Sequence, residues 1–289
     1  MSVSRQTFLD QAANRLREAR IDDARQEARL MIEAVTGISI AHQLAFPDVL
    51  LSDEQLAALD EALVKRENRM PLSQIIEKAI FYDQTFTVTK ETLTPRPESE
   101  LLVDASIEYT DSLQSVHLLD AFTGTGAIGI SVARKLYDAG KDVSLVMTDN
   151  SRYALDVARQ NALRIIAPVN WKIECADIWP STYCRYDVIT ANPPYIATEV
   201  ITSLMPEVNR FEPLSALDGG HDGLDYYRRL SREAGRYLRD GGVLIIEIGA
   251  SQEEEVMRLF VRDSVWRECD RIKDLAGHTR VIVFRMEAG

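Results

Sequence analysis

Apolar positions in the first ~75 residues recur at helical spacing. Phe8, Ala12 and Leu16 are four apart, and Ala28, Met31, Ile32 and Val35 make the apolar side of a second segment. Asp22 is placed to cap that second helix and Gly37 to stop it,. Ser52 followed by Gln55 reads as a capping box ahead of Leu56, Leu59 and Leu63,. The pattern predicts a small helical bundle over residues 1–75. Residues 76–92 (IIEKAIFYDQTFTVTKE) change to aromatic and β-branched residues in partial alternation, which predicts a short hairpin,. Thr94-Pro95-Arg96-Pro97-Glu98 follows, an extended stretch that is neither helix interior nor central strand,. The expected division is therefore a helical domain over 1–75, a hairpin linker over 76–95 and a second domain over 96–289.

From residue 100 onward strand-like and helix-like runs alternate. Strands are predicted at 116–121, 143–148, 170–175, 186–191, 242–248, 269–275 and 279–285, and helices at 101–110, 127–139, 151–165, 224–239 and 251–261. Runs such as Val243-Leu244-Ile245-Ile246 are apolar throughout, as strands covered on both faces are,. The alternation predicts an α/β, doubly wound, mostly parallel Rossmann-like sheet of seven strands, the last two forming an antiparallel hairpin at one edge.

Charge narrows the partners. Lys plus Arg number 33 against 45 Asp plus Glu, a net charge of −12, which opposes a phosphate backbone as the main substrate,. The first 75 residues hold nine basic and twelve acidic side chains, so they are no nucleic-acid arm. Cys175, Cys184 and Cys269 are odd in number and scattered, which argues against a disulfide framework and a zinc site,. With no signal-peptide core and no run of about 18 apolar residues, the expectation is a cytoplasmic protein with no membrane partner.

Three features carry chemistry. Asp120-Ala121-Phe122-Thr123-Gly124-Thr125-Gly126-Ala127-Ile128-Gly129 follows the first strand of the sheet; its glycines permit a tight turn, and the helix after it offers N–H groups to an anion,. This run fits the dinucleotide fingerprint and the loop that holds S-adenosyl-L-methionine equally well. Asp149 ends the next strand, where a carboxylate accepts from both hydroxyls of an unphosphorylated ribose, again in either cofactor,. Asn192-Pro193-Pro194-Tyr195 follows strand 186–191. Each proline holds the preceding residue extended, so the segment presents the Asn192 side-chain oxygen and the Pro193 carbonyl as two fixed acceptors for a planar amino group, with Tyr195 as an aromatic surface beside them. An NAD-dependent oxidoreductase would use the glycines and Asp149 but leave Asn192–Tyr195 idle.

Together with Phe211-Glu212-Pro213, the segment Ala216–Arg228, Gly241-Gly242 and Ala276–Val281, these motifs resemble the protein-glutamine N(5)-methyltransferases that act on peptide chain release factors. The resemblance spans essentially the whole chain. It implies transfer of a methyl group from S-adenosyl-L-methionine to the glutamine of a Gly-Gly-Gln loop, leaving S-adenosyl-L-homocysteine. It further implies that Thr123, Gly124, Thr125 and Gly126 line the methionine end, with Phe122 at the start of the loop also against the cofactor, Asp149 the ribose, and Asp177 and Ile178 the adenine. Asn192, Pro193, Pro194 and Tyr195 would bind the target, Asn192 lying next to the cofactor as well, with no metal. The helical domain would help to hold the release factor. The family's loop usually begins with glycine where this chain has Phe122, whose side chain would be strained at positive φ and would crowd the cofactor. Other readings are methylation of another protein glutamine, as in a ribosomal protein, of a DNA base amino group, or a non-catalytic relative in which Phe122 blocks the cofactor.

Overall fold

The computed structural model describes residues 3–261 and 265–287. Contacts divide the chain into two units, one running through Lys78 with the added segment Met205–Phe211, the other holding the remainder.

The first unit contains α1 (Arg5–Glu18), α2 (Ala24–Thr36), α3 (Ile40–Ala45), α4 (Asp53–Glu67) and α5 (Leu72–Ile75). Phe8, Ala12, Leu16, Ala28, Met31, Ile32, Leu59 and Leu63 meet in one buried cluster, as their spacing requires,. Ser52 and Gln55 make both bonds of the capping box, and Gly37 closes α2 at φ 72°. The cap of α2 is corrected: Asp23 occupies that position, not Asp22, and its φ −87°, ψ 32° backbone makes no side-chain cap bond. That geometry departs from the extended one which turns a cap side chain back onto the helix N–H groups. Met205–Phe211 is held in this unit by Glu207, which accepts from Arg66 at 2.9 Å and Arg69 at 2.8 Å, and by Gln74 donating to the Phe211 carbonyl at 3.0 Å.

The hairpin of β1 (Lys78–Phe81) and β2 (Gln84–Thr87) leads into the second unit. Its two-residue turn sets Tyr82 at φ 48° and Asp83 at φ 61°, the left-handed pair that matches strand twist,. Then come α6 (Glu100–Tyr109), β3 (Ser115–Ala121), α7 (Ala127–Asp138), β4 (Asp142–Asp149), α8 (Arg152–Ile165), β5 (Asn170–Cys175) and β6 (Tyr186–Ala191). The short α9 (Pro206–Asn209) lies in the added segment of the first unit, and α10 (Asp225–Glu233), β7 (Leu238–Glu247), α11 (Glu253–Val261), β8 (Trp266–Lys273) and β9 (Thr279–Met286) complete the chain.

The sheet runs β5-β4-β3-β6-β7-β9-β8, parallel except for β9 against its two neighbours. Side chains alternate between two cores: Val116, Leu118, Val243 and Ile245 enter one, Leu119, Ala121, Leu244 and Ile246 the other. Helices cover both faces. Chain order reverses between β3 and β6, and in such sheets the crevice at that switch point receives ligands,.

Most predicted limits fall within a residue or two of the observed ones, and two stretches depart further. The helix predicted over 224–239 ends at Glu233, tightens to a 3-10 turn over Ala234–Tyr237, and gives way to β7 at Leu238 instead of 242. Leu238 is taken by pairing with Tyr186, and a register shift separates this pair from Val188–Val243. β8 starts at Trp266 instead of 269 and ends at Lys273; its residues are exposed over most of their length, so a charged edge strand hides the alternation that marks buried ones,. Among the described residues no helix is long and apolar enough to cross a membrane.

Candidate active site

The turn from β3 to α7 is built from left-handed residues: Phe122 at φ 59°, Gly124 at 53° and Gly126 at 81°. Phe122 thus occupies a conformation that disfavours side chains, and its ring meets Tyr226 edge-on with centroids 5.0 Å apart. Asp120 fixes the turn from beneath. Fully buried, it accepts from Thr123 Oγ1 at 2.5 Å, Thr190 Oγ1 at 2.7 Å and the Gly129 N–H at 3.1 Å, tying β3, β6 and α7 together. A Cβ on Gly129 would come within 2.7 Å of the Asp120 Cβ, so this third glycine serves close packing and not the ligand. Burial lifts the Asp120 carboxyl to about 6, against the downward pull of its three donors,.

A cleft opens over this turn. Phe122, Thr123, Gly124, Thr125, Asp149, Asp177, Ile178, Asn192 and Pro194 all line it; Gly126, Pro193 and Tyr195 do not. Gly126 instead begins α7 and leaves its N-terminus without a side-chain cap, while Ala127 and Ile128 of the first helical turn reach the cleft. Asp149 accepts from the Gly124 and Ser151 N–H groups at 2.9 Å each. Burial raises its pKa, and those backbone bonds oppose the rise. Ser151 also caps α8 through the Ala154 N–H at 3.2 Å. Asp177 pairs with Arg229 at 2.9 Å, and the Ile178 carbonyl accepts from Thr148 Oγ1 at 2.7 Å.

Asn192 sits where β6 delivers the chain to the cleft. Its Nδ2 donates to Ser99 Oγ at 3.1 Å, and Ser99 Oγ in turn donates to Glu247 Oε2 at 2.5 Å. Ser99 lines the cleft, whereas Glu247 lies buried at the end of β7. Burial pushes the Glu247 carboxyl up to about 7, with Ser99, Arg280 and Asn192 pulling it down and Glu98 pushing it further up. Ser99 did not stand out as a site residue in the sequence, and Glu247, ending a buried strand, read first as a capping or pairing carboxylate with no support for a role near the cofactor; Ser99's position directly after the Pro-Arg-Pro-Glu run is the signal that could have found it. Tyr195 turns inward, its ring packed with the β6–β7 core and its hydroxyl raised to about 12 by burial.

Two further segments brace this strand end. Arg96 of the Pro-Arg-Pro-Glu run donates to buried Glu212 at 2.6 Å, so two motifs more than a hundred residues apart form one ion pair at the cleft. Gln252 Nε2 donates to the carbonyls of Tyr195, at 2.9 Å, and Gly223, at 3.2 Å. A Cβ on Gly219 would meet the Pro194 carbonyl at 2.8 Å, and one on Gly223 the Tyr195 carbonyl at 2.4 Å. These glycines let the 216–228 loop lie directly on the main chain of Pro194 and Tyr195.

Among the described residues no cluster of three or more His, Cys, Asp or Glu side chains is arranged to hold a metal. An uncapped helix N-terminus, a carboxylate and an aromatic wall in one cleft suit a ligand with an anionic end, a diol and a flat base. Residues 7–76 match the family model of the PrmC N-terminal domain, and residues 98–207 that of the methyltransferase small domain. The chain is 38% identical to the release factor glutamine methyltransferase of Caulobacter vibrioides, over 94% of this chain and 93% of the relative. It is also 38% identical to that of Gloeobacter violaceus, over 93% of each. Its fold is similar to that of the hMettl16 catalytic domain, solved in complex with an RNA hairpin, with a TM-score of 0.52 at 13% identity over 83% of this chain and 85% of that one.

Proposed function

The chain belongs to the release factor glutamine methyltransferase family, and from that premise we propose that it methylates the side-chain amide nitrogen of the Gly-Gly-Gln glutamine in a peptide chain release factor. The observation that carries the reading is Asn192: its Nδ2 is tied back to Ser99, which leaves its Oδ1 as an acceptor on a cleft also lined by the glycine turn and Asp149.

The donor set fits S-adenosyl-L-methionine. The start of α7 and the Gly124–Thr125 main chain would hold the methionine carboxylate, Asp149 the ribose hydroxyls, and Ile178, Phe122 and Asp177 the adenine end. When bound, that cofactor supplies an electrophilic methyl on a sulfonium. An amide nitrogen is a poor nucleophile because its lone pair is delocalised into the carbonyl. Asn192 Oδ1 accepts one of its N–H bonds, orients the amide and stabilises the positive charge that grows on nitrogen during attack, while the N–H proton displaced by the methyl group leaves to solvent. Tyr195 contributes from behind: its partly buried ring and its Gln252-bound carbonyl hold the segment in place. The first unit would help to hold the protein substrate, an assignment supported by the match of residues 7–76 to a domain that this family carries.

The test is a turnover assay on release factor with the wild type and Asn192→Ala. The variant is expected to lose turnover sharply while its cofactor affinity, measured by calorimetry, stays near wild type. Equal loss of both would overturn the role given to Asn192.

A further inference from the structure

We infer that the Ser99 hydroxyl and the Glu247 carboxylate decide which end of the Asn192 amide faces the cleft, making both of them positioning residues for methyl transfer. The inference rests on the reading of Asn192 above. The two ends of an asparagine amide have nearly the same shape, so packing alone does not choose between them. Here the choice matters: an Oδ1 in the cleft accepts from a target amino group, whereas an NH2 there would set donor against donor.

Hydrogen-bond arithmetic makes the choice. An ionised carboxylate only accepts, so the 2.5 Å contact between Ser99 Oγ and Glu247 Oε2 commits the single Ser99 hydrogen to Glu247,. Ser99 Oγ is left with acceptor capacity alone toward Asn192, 3.1 Å away. Only the Nδ2 end satisfies it, and Oδ1 is turned to the other side. All three groups are at least partly sheltered, and Ser99 and Glu247 are 3% and 2% exposed, so water is in short supply to scramble the order. Tyr227 anchors Glu247 from α10, its hydroxyl donating to the Glu247 carbonyl at 2.9 Å.

A protonated Glu247 would lift this constraint. Its O–H could donate to Ser99, freeing the Ser99 hydrogen for Asn192 Oδ1 and allowing the amide to turn over. The groups facing the carboxyl are Ser99, Asn192, Arg280 of β9, Glu98, and the hydroxyls of Tyr195 and Tyr227. Arg280 favours the ionised form and Glu98 opposes it, while burial is the largest influence and holds the group near neutrality. Turnover should therefore rise with pH as Glu247 ionises.

The experiment measures kcat and KM on release factor, cofactor affinity by calorimetry and thermal midpoint for the wild type, Ser99→Ala, Ser99→Thr, Glu247→Gln and Asn192→Ala. Ser99→Ala should lower kcat about tenfold or more, the scale of losing one ordered hydrogen bond to a charged network. Its KM and cofactor affinity should stay within about twofold, and Ser99→Thr, which keeps the hydroxyl, should restore most of kcat. Glu247→Gln should remove the near-neutral limb of the pH profile of kcat. Wild-type kcat in Ser99→Ala, or a loss shared by affinity and thermal midpoint that Thr does not rescue, would overturn the inference. Asn192→Ala separates the two levels. If it is inactive while Ser99→Ala is normal, only the positioning role falls; if it turns over like wild type, the reading of Asn192 falls as well.

Discussion

Under the proposed function Asn192 and Asp149 have different tasks in the cleft, and their variants should fail in different ways. Losing a preorganised acceptor at the reacting centre costs about 2.7–4 kcal/mol of barrier, so Asn192→Ala is expected to reduce kcat by a factor of about 10²–10³. Asp149→Asn keeps the shape but removes the charge that the Gly124 and Ser151 N–H groups share and that, under the proposed function, would also meet the ribose diol. We predict about a tenfold weaker cofactor affinity, near 1.4 kcal/mol, with kcat at saturating cofactor close to wild type; calorimetry beside steady-state kinetics checks both. Asn192 and Asp149 were picked out because each stands at the C-terminal end of a strand facing the crevice, and the structure brings both to the cleft. Ser99 and Glu247 were not, since their partnership spans 148 residues and a serine after prolines or a glutamate ending a strand has ordinary structural explanations. Phe122 was read as strained only if the backbone required positive φ, and at φ 59° it does.

At the level of elements, the cleft depends on close main-chain approaches that glycine permits. The 216–228 loop rests on Pro194 and Tyr195 at Gly219 and Gly223. Gly223→Ala would place a methyl 2.4 Å from the Tyr195 carbonyl at φ 74°, with backbone on the other side and little room to yield. We expect a stability loss of about 1–3 kcal/mol, the scale of strain at such positions, together with reduced turnover as Asn192–Tyr195 shifts. A variant of wild-type stability and activity in chemical denaturation and assay would contradict the clamp. The sheet itself was readable from its apolar runs, with β5 and β6 found at their observed limits. The ends of α10 and β8 were not: α10 stops because strand pairing captures Leu238, and β8 is an edge strand whose charged residues carry no alternation. Nor does any local pattern announce that Met205–Phe211 returns to the helical unit, because Glu207 finds Arg66 and Arg69 only through the fold.

Over the whole molecule, function and stability pull Glu247 in opposite directions. Its folded pKa, about 7, stands above the ordinary 4.5, so between those values the native state binds more protons than the unfolded chain. Stability then falls as pH rises through that window, by up to a few kcal/mol at about 1.4 kcal/mol per unit. Asp120, raised to about 6 from 3.8, adds a fall of the same sign at lower pH. Glu247→Gln should flatten the decline between about pH 6 and 7 in denaturant titrations, and curves parallel to wild type would contradict the assignment. The net charge of −12 accords with a protein substrate better than with a polyanion,. The most direct test of the central claim is mass spectrometry of purified release factor incubated with this protein and S-adenosyl-L-methionine, beside a release factor whose Gly-Gly-Gln glutamine is replaced. The account predicts one added methyl on that glutamine and none on the control. No methyl despite calorimetrically measured cofactor binding, or a methyl that persists on the control, would contradict it.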